Sequence, residues 1–370
     1  LRPIATAPLL PLSTKLLMVR ELFIRATGDS ERGKEDESVA QFVRRHFGRP
    51  MLENIVDPLL SGVYGGDSEF LSMRSVLPRF CTMEKGQGSL IRAILRARAR
   101  APRASSSRPI FTTLRSGLSE MIARLTPPAQ PGESPTESRV WLQTPVAKVE
   151  SKAAGHAGIG QAPRYTIRFD DGRSLEAHAI ILALPGYECS RLLTPLDGAL
   201  GAALGEISCS SALTVALAFD EAVQIPPGFG FLVPKKEGRR MLACTFVHQK
   251  FNHRAPPGKA LLRCFFGGAG NERVLEMDDR EVVSLAQKEL KEILGLRAEP
   301  LFHRVYRWPR AMPQYNVGHE KRLAAIQESK KNLPGIFLAG NSYSGIGISD
   351  CIRTGKAAAQ EAIQYLSATR

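Results

Sequence analysis

The chain has 370 residues, of which 43% are apolar and 23% are charged, and its formal net charge is +14. This length exceeds what one ordinary hydrophobic core supports, so we expect at least two domains. No run of about 18 apolar residues is free of charge, which excludes a predicted transmembrane helix. The excess of positive charge favours an anionic partner, such as a phosphate, an acidic lipid or a carboxylate substrate.

The first 108 residues are predicted to be mainly helical. Apolar residues three and four positions apart indicate amphipathic helices in "TKLLMVRELFIRA" (14–26), "ESVAQFVRRHFGRPMLENIVDPLLSGV" (37–63) and "GQGSLIRAILRARA" (86–99). The stretch 91–108 holds six arginines. A solvated helix end with a linker would explain them, and so would contact with an anionic membrane surface. No aromatic residues interleave with these arginines, so the stretch is not typical of a nucleic-acid interface.

From residue 139 onward the pattern changes from a helical period to alternation. "RVWLQTPVAKVES" (139–151) and "RYTIRFDDGRSLEAHAIILALP" (164–185) predict strands, with "DDG" as a hairpin turn. The run "AIILALP" (179–185) is continuously apolar, as in a strand buried on both faces. Further strands are expected at 212–219, 229–234, 240–247, 260–268 and 335–341, with a helix at 278–295 and an extended segment at 302–315.

The sequence contains no pattern for metal binding or nucleophilic catalysis. The six cysteines form no CxxC pair, and the seven histidines do not recur at ligand spacing. Neither GxSxG nor HExxH occurs. We therefore predict free thiols in a reducing compartment, no metal site and no catalytic side chain.

The stretch "LAGNSYSGIGISDCIRTGKAAAQEAI" (338–363) predicts a strand, a glycine-spaced turn and a helix. Gly340, Gly345 and Gly347 would let the backbone approach a ligand closely. The amides of Ile346, Gly347 and Ile348 would then point at an electron-rich group. The spacing matches neither GxGxxG nor a P-loop. A purely structural joint between strand and helix is the alternative interpretation.

Several motifs, in order, resemble one known family. They are "SGVYGGDSEFLSMRSVLPRF", "EKGQGSLI", "PPGFGFLVP", "RAPPGKALLRCFFGGAG", "MPQYNVGH" and the C-terminal turn. Together they are similar to the oxygen-dependent, FAD-containing protoporphyrinogen oxidases, which are related to monoamine oxidases and phytoene desaturases. The resemblance extends over residues 8–365, which is almost the whole chain.

The resemblance implies an FAD site assembled from distant segments. The residues that match flavin-facing positions are Gly340, Ile346, Gly347 and Ile348. Val146 matches a position whose backbone meets the adenine, and we expect it to lie on an apolar strand of the parallel type. "FTTLRSGLSEMIARL" (111–125) matches a family turn with two glycines, but here Ser116 replaces the first. The family's GxGxxG unit has no match, so the resemblance implies about a hundred residues before Leu1. We expect this 370-residue chain to bind FAD weakly or not at all.

The resemblance also implies where the substrate binds. Phe229, Gly230, Leu232, Thr245 and Phe265 match positions that line the tetrapyrrole, whereas alternation alone would assign them to an ordinary core. Flat apolar walls suit a large apolar macrocycle. The implied reaction is oxidation of protoporphyrinogen IX to protoporphyrin IX, in which the flavin accepts hydride and molecular oxygen reoxidises it. Related bacterial enzymes oxidise coproporphyrinogen III, and the residues do not decide between the two substrates.

The predicted fold is mixed, α/β and α+β. A Rossmann-like FAD-binding domain (109–188 and 313–370) is interleaved with a sheet-based substrate domain (189–312) and with a helical, membrane-associating domain (1–108). The resemblance implies a cytoplasmic protein held peripherally on the inner membrane of a bacterium, binding no nucleic acid, and it allows a homodimer. The alternatives are another flavin oxidase, either an amine oxidase or a desaturase, and a basic membrane- or nucleic-acid-binding protein without a cofactor.

Overall fold

The computed structural model describes residues 8–25, 35–100, 112–126, 140–151, 165–220 and 225–368. Residues 101–108 of the arginine-rich stretch lie outside this part of the chain. Among the described residues, eight helical segments precede the first strand, and the seven between residues 12 and 100 confirm the predicted helical N-terminal region. They are α1 (Leu12–Glu21), α2 (Val39–Phe47), α3 (Arg49–Met51, continued by a π-helical turn at Leu52–Val56), α4 (Asp57–Tyr64), α5 (Met73–Val76), α6 (Pro78–Gln87), α7 (Leu90–Arg100) and α8 (Ser119–Leu125).

Two side-chain caps fix where helices in this region begin. At α2, Ser38 and Gln41 form a reciprocal capping box, with both hydrogen bonds at 3.1 Å. At α7, the buried carboxylate of Glu21 accepts from the amides of Leu90 and Ile91 and from the Ser89 hydroxyl. Because Glu21 belongs to α1, this second cap also joins two helices. Among the described residues, no helix combines the length and apolar character needed to cross a bilayer.

A parallel strand pair and an antiparallel sheet form the middle of the molecule. The sheet consists of β1 (Val146–Ser151), β2 (Tyr165–Phe169) and β3 (Ser174–Ala177), and the predicted "DDG" hairpin turn is confirmed. The parallel pair is β4 (Ile180–Leu182) with β10 (Ile336–Leu338). Because β1 pairs antiparallel with β2, the expectation of a parallel-type strand at Val146 is wrong.

Four helices accompany the parallel pair: α9 (Gly186–Leu193), α10 (Gly198–Gly205), α13 (His319–Lys330) and α14 (Ile348–Ala368). Only α14 was predicted. Helix α9 begins directly after Pro185, which is the last residue of the predicted strand at 179–185, and no element is predicted for the residues that follow. Helix α13 begins after Gly318, whose φ is +88°, and its weak amphipathic pattern gave no clear helical period.

The largest sheet is antiparallel and has the order β6-β7-β8-β5-β9. The predicted strands and the helix at 278–295 are confirmed as β5 (Cys209–Phe219), β6 (Gly230–Leu232), β7 (Ala243–Phe246), β8 (Ala260–Gly267), α12 (Asp279–Leu294) and β9 (Phe302–Pro313), with a short α11 (Val247–Lys250) between β7 and β8. Short 3-10 turns occupy Lys235–Glu237 and Glu272–Glu276. Alternate residues of β5 and β8, including Leu213, Val215, Leu262 and Cys264, pack into one core with α12.

The helical region and the strand-containing region exchange chain segments. Tyr315 and Ile346 pack against the helical core, and the Ser72 amide donates to the Tyr315 carbonyl at 2.7 Å. The molecule is therefore interleaved and not a string of separate domains. The division at residues 108, 188 and 312 stays a prediction.

Candidate cofactor and substrate site

The C-terminal turn leaves the carboxyl edge of the parallel strands. β10 ends at Leu338, and α14 begins at Ile348. Between them Gly340 and Gly345 have φ of +113° and +85°, a backbone region that favours glycine because no Cβ is present. Ligands of open α/β sheets bind at this edge, so the turn is placed where a cofactor would bind.

Three backbone amides of the turn are available to a ligand. The amides of Asp350 and Cys351 both donate to the Gly347 carbonyl at 3.0 Å. In the described part of the chain, the amides of Ile346, Gly347 and Ile348 have no acceptor. Together with the positive end of the α14 dipole, they favour an electron-rich group.

Hydrogen bonds to the start of α9, to Tyr315 and to Thr354 of α14 hold the turn in place. The Gly186 amide at the start of α9 donates to Ser342 Oγ at 2.9 Å. Tyr315 donates its hydroxyl proton to the Asn341 carbonyl at 2.6 Å, and Thr354 Oγ1 accepts from the Gly340 amide at 3.2 Å. These bonds fix the turn before any ligand binds, which lowers the conformational cost of binding.

His319 adds a further bond and does so as a neutral group. Its Nε2 lies 2.9 Å from the Tyr343 carbonyl oxygen, and its ring stacks on Tyr315 with centroids 4.2 Å apart. Burial lowers the pKa of His319 below its ordinary value. The neutral ring therefore donates from Nε2. Sequence analysis did not identify His319 or Tyr315 as site residues, although both lie in the quoted motif "MPQYNVGH".

The glycine turn fits the flavin that the resemblance implies. A Cβ built at Gly345 would lie 2.2 Å from the side chain of Asp350, and one built at Gly347 would lie 3.3 Å from Asp350 Oδ2. A side chain at Gly345 would thus displace Asp350 from its place beside the turn. Free amides, a close backbone approach and a fixed turn are what an electron-rich ring edge requires. Gly340, Ile346, Gly347 and Ile348 are the residues that would hold it.

Val146 lies apart from this turn in the chain but shares a core with it. The side chains of Val146 and Tyr343 pack against the same hydrophobic cluster. The Val146 carbonyl accepts from Arg191 Nη2 at 3.1 Å. Its backbone is therefore fixed by α9, and its role toward the adenine stays a prediction.

The five-stranded sheet has one covered face and one open face. α12 covers the first face. The second face carries the residues that alternate along each strand with the core residues. The register of the strands places these residues in two neighbouring rows that cross the sheet. The first row is Gly230, Thr245, Arg263, Ala216 and Arg304, and the second is Leu232, Ala243, Phe265, Thr214 and Tyr306.

Four of the five predicted substrate residues lie on this open face: Gly230, Leu232, Thr245 and Phe265. Phe229 immediately precedes β6, and its ring is 68% exposed. Gly230 has φ +136°, and a Cβ there would lie 2.0 Å from the Cys244 carbonyl oxygen. The structure therefore brings these residues together, and the expectation of an ordinary core does not describe them.

The last part of β9 carries a bulge that the sequence did not indicate. The register with β5 shifts between Ser210 and Ala212, and Arg310 adopts φ +48°. Its guanidinium lies 3.7 Å from the centre of the Tyr187 ring at the start of α9. Bulges re-aim side chains near functional sites, and this one directs Arg310 toward the helix that follows β4.

Helix α1 exposes an apolar stripe. Leu12, Leu16 and Val19 recur at helical spacing along one side of α1, and Phe23 follows in the turn after its last residue. Each of the four is more than half exposed. The opposite side packs on α2 and α7. Exposed apolar faces of this kind mark interaction surfaces.

Three comparisons relate the chain to known proteins. The family model described as flavin containing amine oxidoreductase matches residues 5–363. The chain is 31% identical to the coproporphyrinogen III oxidase of Bacillus subtilis, with 98% of this chain and 74% of that protein aligned. It is 29% identical to the chloroplastic protoporphyrinogen oxidase of Nicotiana tabacum, with 90% of this chain and 62% of that protein aligned.

Solved structures agree at the level of the fold. A crystal structure of an Exiguobacterium sp. 255-15 protein, provisionally named a protoporphyrinogen oxidase, has a TM-score of 0.77 at 28% identity, covering 98% of this chain and 73% of that one. A putrescine oxidase variant has a TM-score of 0.58 at 16% identity, covering 97% of this chain and 77% of that one. The second likeness supports the fold alone.

Proposed function

Because the chain belongs to the flavin-containing amine oxidoreductases and is an FAD-dependent oxidoreductase, we propose that it oxidises a porphyrinogen to the corresponding porphyrin in haem biosynthesis. Molecular oxygen is the proposed electron acceptor. The names of the Bacillus and Nicotiana relatives support this substrate class. The observation that carries the proposal is the open sheet face, where small residues are flanked by Leu232, Phe265 and Tyr306.

The side chains of this chain bind and orient the reactants. When bound, FAD supplies the two-electron acceptor for hydride from a methylene bridge of the porphyrinogen. The amides of Ile346, Gly347 and Ile348 would donate to an electron-rich group of the bound flavin and restrict its orientation. The apolar row of the sheet excludes water from one side of the macrocycle, and Gly230 permits close approach. Orientation and enclosure are thus the contributions of the protein.

Two porphyrinogens are candidates, protoporphyrinogen IX and coproporphyrinogen III. Protoporphyrinogen IX was the first expectation from the motifs. The more similar of the two curated relatives reported above is a coproporphyrinogen III oxidase, which supports the second candidate. The two differ in the number of carboxylates, so the charged groups of the pocket decide between them.

Aerobic turnover with defined substrates tests the proposal. The protein is first loaded by adding FAD in excess, and the excess cofactor is kept in the assay. It is then incubated with each porphyrinogen and, separately, with primary and polyamines, while porphyrin fluorescence and hydrogen peroxide are followed. We expect porphyrin formation with one peroxide per two electrons and no amine oxidation. Peroxide formation from an amine alone would contradict the proposal and favour an amine oxidase.

We also propose that α1 rests on an anionic membrane surface. Its exposed stripe supplies apolar contact, and Arg20 and Arg25, both exposed, supply charge near the same helix. A peripheral position on the inner membrane of a bacterium, from the cytoplasm, is part of this proposal. The homodimer stays a prediction.

Vesicle co-sedimentation tests the membrane proposal. Replacing Leu16 and Phe23 with serine removes apolar contact at two positions of the stripe, so we expect binding to vesicles with anionic lipid to fall about tenfold or more. The matched control is Leu142→Ser, which removes a leucine that is 81% exposed outside α1. Equal binding of both variants and the wild type would show that α1 does not contact the bilayer.

A further inference from the structure

Arg263 lies in the middle of the open sheet face. Its neighbours in β8, Leu262 and Cys264, are fully buried in the core beneath α12, so the alternation of the strand directs Arg263 to the other side. The register pairs it with Thr245 on β7 and with Ala216 on β5. Arg263 therefore lies beside the predicted substrate residue Thr245 and two positions from another, Phe265, on the same strand.

A second arginine lies in the same row. Arg304 on β9 pairs with Ala216, so it is two strands away from Arg263, at a backbone separation of about 10 Å. Only the small Ala216 lies between them. The row thus carries two positive charges, and the alanine side chain between them is short.

The charge of Arg263 is not neutralised by the protein. In the part of the chain that the structure describes, Arg263 has no ion pair, and the residues paired with it, Thr245 and Ala216, carry no charge. On the covered face Arg307 differs, because it bonds to the Asp279 carboxylate and to the Met277 carbonyl. The protein therefore supplies a carboxylate to an arginine on the covered face, whereas the guanidinium of Arg263 is available to the anionic group of a ligand.

The adjacent row is apolar. Two residues further along each strand lie Leu232, Phe265 and Tyr306, at about 7 Å from the cationic row. A ligand with a flat apolar body and acidic groups on its rim would match both rows at once. A porphyrinogen has this chemistry, since its pyrrole ring system carries propionate side chains.

We propose that Arg263, assisted by Arg304, binds the carboxylates of the porphyrinogen while the macrocycle lies over the apolar row. This inference rests on the proposed function and identifies a specificity-determining residue for it. A guanidinium binds a carboxylate through two parallel hydrogen bonds, with more energy and directionality than an ammonium. Substrates with more carboxylates therefore gain more from this row.

Equilibrium binding of two porphyrins separates charge from shape. The FAD-loaded wild type and the variants Arg263→Gln and Arg263→Lys are titrated with coproporphyrin III and with its tetramethyl ester, which lacks carboxylates. For Arg263→Gln we expect about tenfold weaker binding of the acid and unchanged binding of the ester. KM for the porphyrinogen should rise while kcat stays within about twofold. Lysine should restore part of the affinity.

Arg280→Gln is the matched control, because Arg280 is also exposed but lies on α12, over the covered face. It should leave both porphyrins unaffected. If Arg263→Gln fails to fold, Arg263→Thr replaces it, since threonine suits a strand. Equal losses for acid and ester, or no loss for either, would overturn the role of Arg263. A wild type that neither binds porphyrin nor oxidises porphyrinogen would instead contradict the proposed function.

Discussion

Gly345 determines the course of the turn before α14. Its φ of +85° is unfavourable for a residue with a side chain, and Asp350 occupies the space a Cβ would take. Arg353 pairs with the Asp350 carboxylate at 3.1 Å and donates to the Ser344 carbonyl at 3.0 Å. The three residues form a local unit that fixes the direction of the free amides.

Replacing Gly345 with alanine should therefore reduce flavin binding. The new methyl group would force Asp350 away and strain the backbone, at a cost of about 1–3 kcal/mol. After both proteins are loaded with excess FAD, we expect the flavin that the variant retains to be at least severalfold lower than in the wild type, as measured from the ratio of flavin to protein absorbance.

Gly355→Ala provides the comparison. Gly355 lies within α14, and a Cβ there would meet nothing within 4 Å. Alanine should keep the flavin content and raise helix stability by up to about 1 kcal/mol. A loss of flavin in both variants would show that α14 as a whole, and not the turn, is sensitive to substitution.

The spacing of Gly340, Gly345 and Gly347 was sufficient to predict a turn at residues 340–348, because three glycines so close together are needed mainly where the backbone turns tightly. The same reasoning could not find His319 and Tyr315. Their contribution depends on burial and on bonds to carbonyls that are 24 and 26 residues away in sequence, and no local pattern records such distances. The sequence shows Arg263 only as an isolated charge, because only the register of the strands places it beside Thr245.

At the scale of elements, α2 is joined to α1 and α6 through a buried histidine. Nδ1 of His46 lies 3.5 Å from Glu21 Oε1, and its Nε2 lies 3.1 Å from Glu84 Oε1. Burial opposes the charged ring, and Arg45 beside it does too, but the carboxylates of Glu21 and Glu84 outweigh them and raise the pKa of His46. Burial opposes the charged carboxylate of Glu84, but hydrogen bonds from Arg45 and then from His46 lower its pKa to about 2.

This arrangement predicts that the helical region weakens as the pH rises. A raised folded-state pKa gives stability that is complete below the unfolded value of about 6.5 and is lost as the pH rises through the folded value. The melting temperature of the wild type should therefore exceed that of His46→Gln most at about pH 5 and least at about pH 9.

His253→Gln controls for general effects of pH, because His253 is exposed and lies far from this network in the chain. Its melting temperature should follow that of the wild type throughout. A difference between wild type and His46→Gln that is constant with pH would indicate a packing role only.

The elements with strong periodicity or alternation were predictable, as β5, β8 and α12 show. Helix α13 was not, because it has no clear apolar stripe and its helical state depends on packing. Helix α9 has a buried stripe that includes Cys189, Leu192 and Leu193, but its eight residues make a short pattern. The antiparallel pairing of Val146 also depended on which strand lay beside it, and sequence alone does not specify that neighbour.

Across the whole molecule, Gln314 connects the helical region to the large sheet. This buried side chain donates from Nε2 to the Tyr64 carbonyl at 3.0 Å, to Ser210 Oγ at 3.0 Å and to the Met312 carbonyl at 2.9 Å. Tyr64 ends α4, Ser210 belongs to β5 and Met312 to β9. One amide group therefore satisfies acceptors from three elements.

Gln314→Ala should destabilise the protein by about 1–3 kcal/mol, because the buried acceptors lose their donor. Urea unfolding followed by circular dichroism measures the change. Gln360→Ala, on the exposed side of α14, should change the stability by no more than about 0.5 kcal/mol. If both substitutions had the same small effect, water would be replacing the amide at the junction.

The parallel pairing of β4 with β10 has a consequence for synthesis of the protein. The residues that the Gly186 amide and the Ser342 hydroxyl join are 156 positions apart. At about 5–20 residues per second, a ribosome needs roughly 8–30 s to add that length. During this interval β4 has an unpaired edge, which is a template for wrong pairing. A nascent chain released before β10 would therefore carry the complete five-stranded sheet but would be prone to aggregation, and it would lack the C-terminal glycine turn.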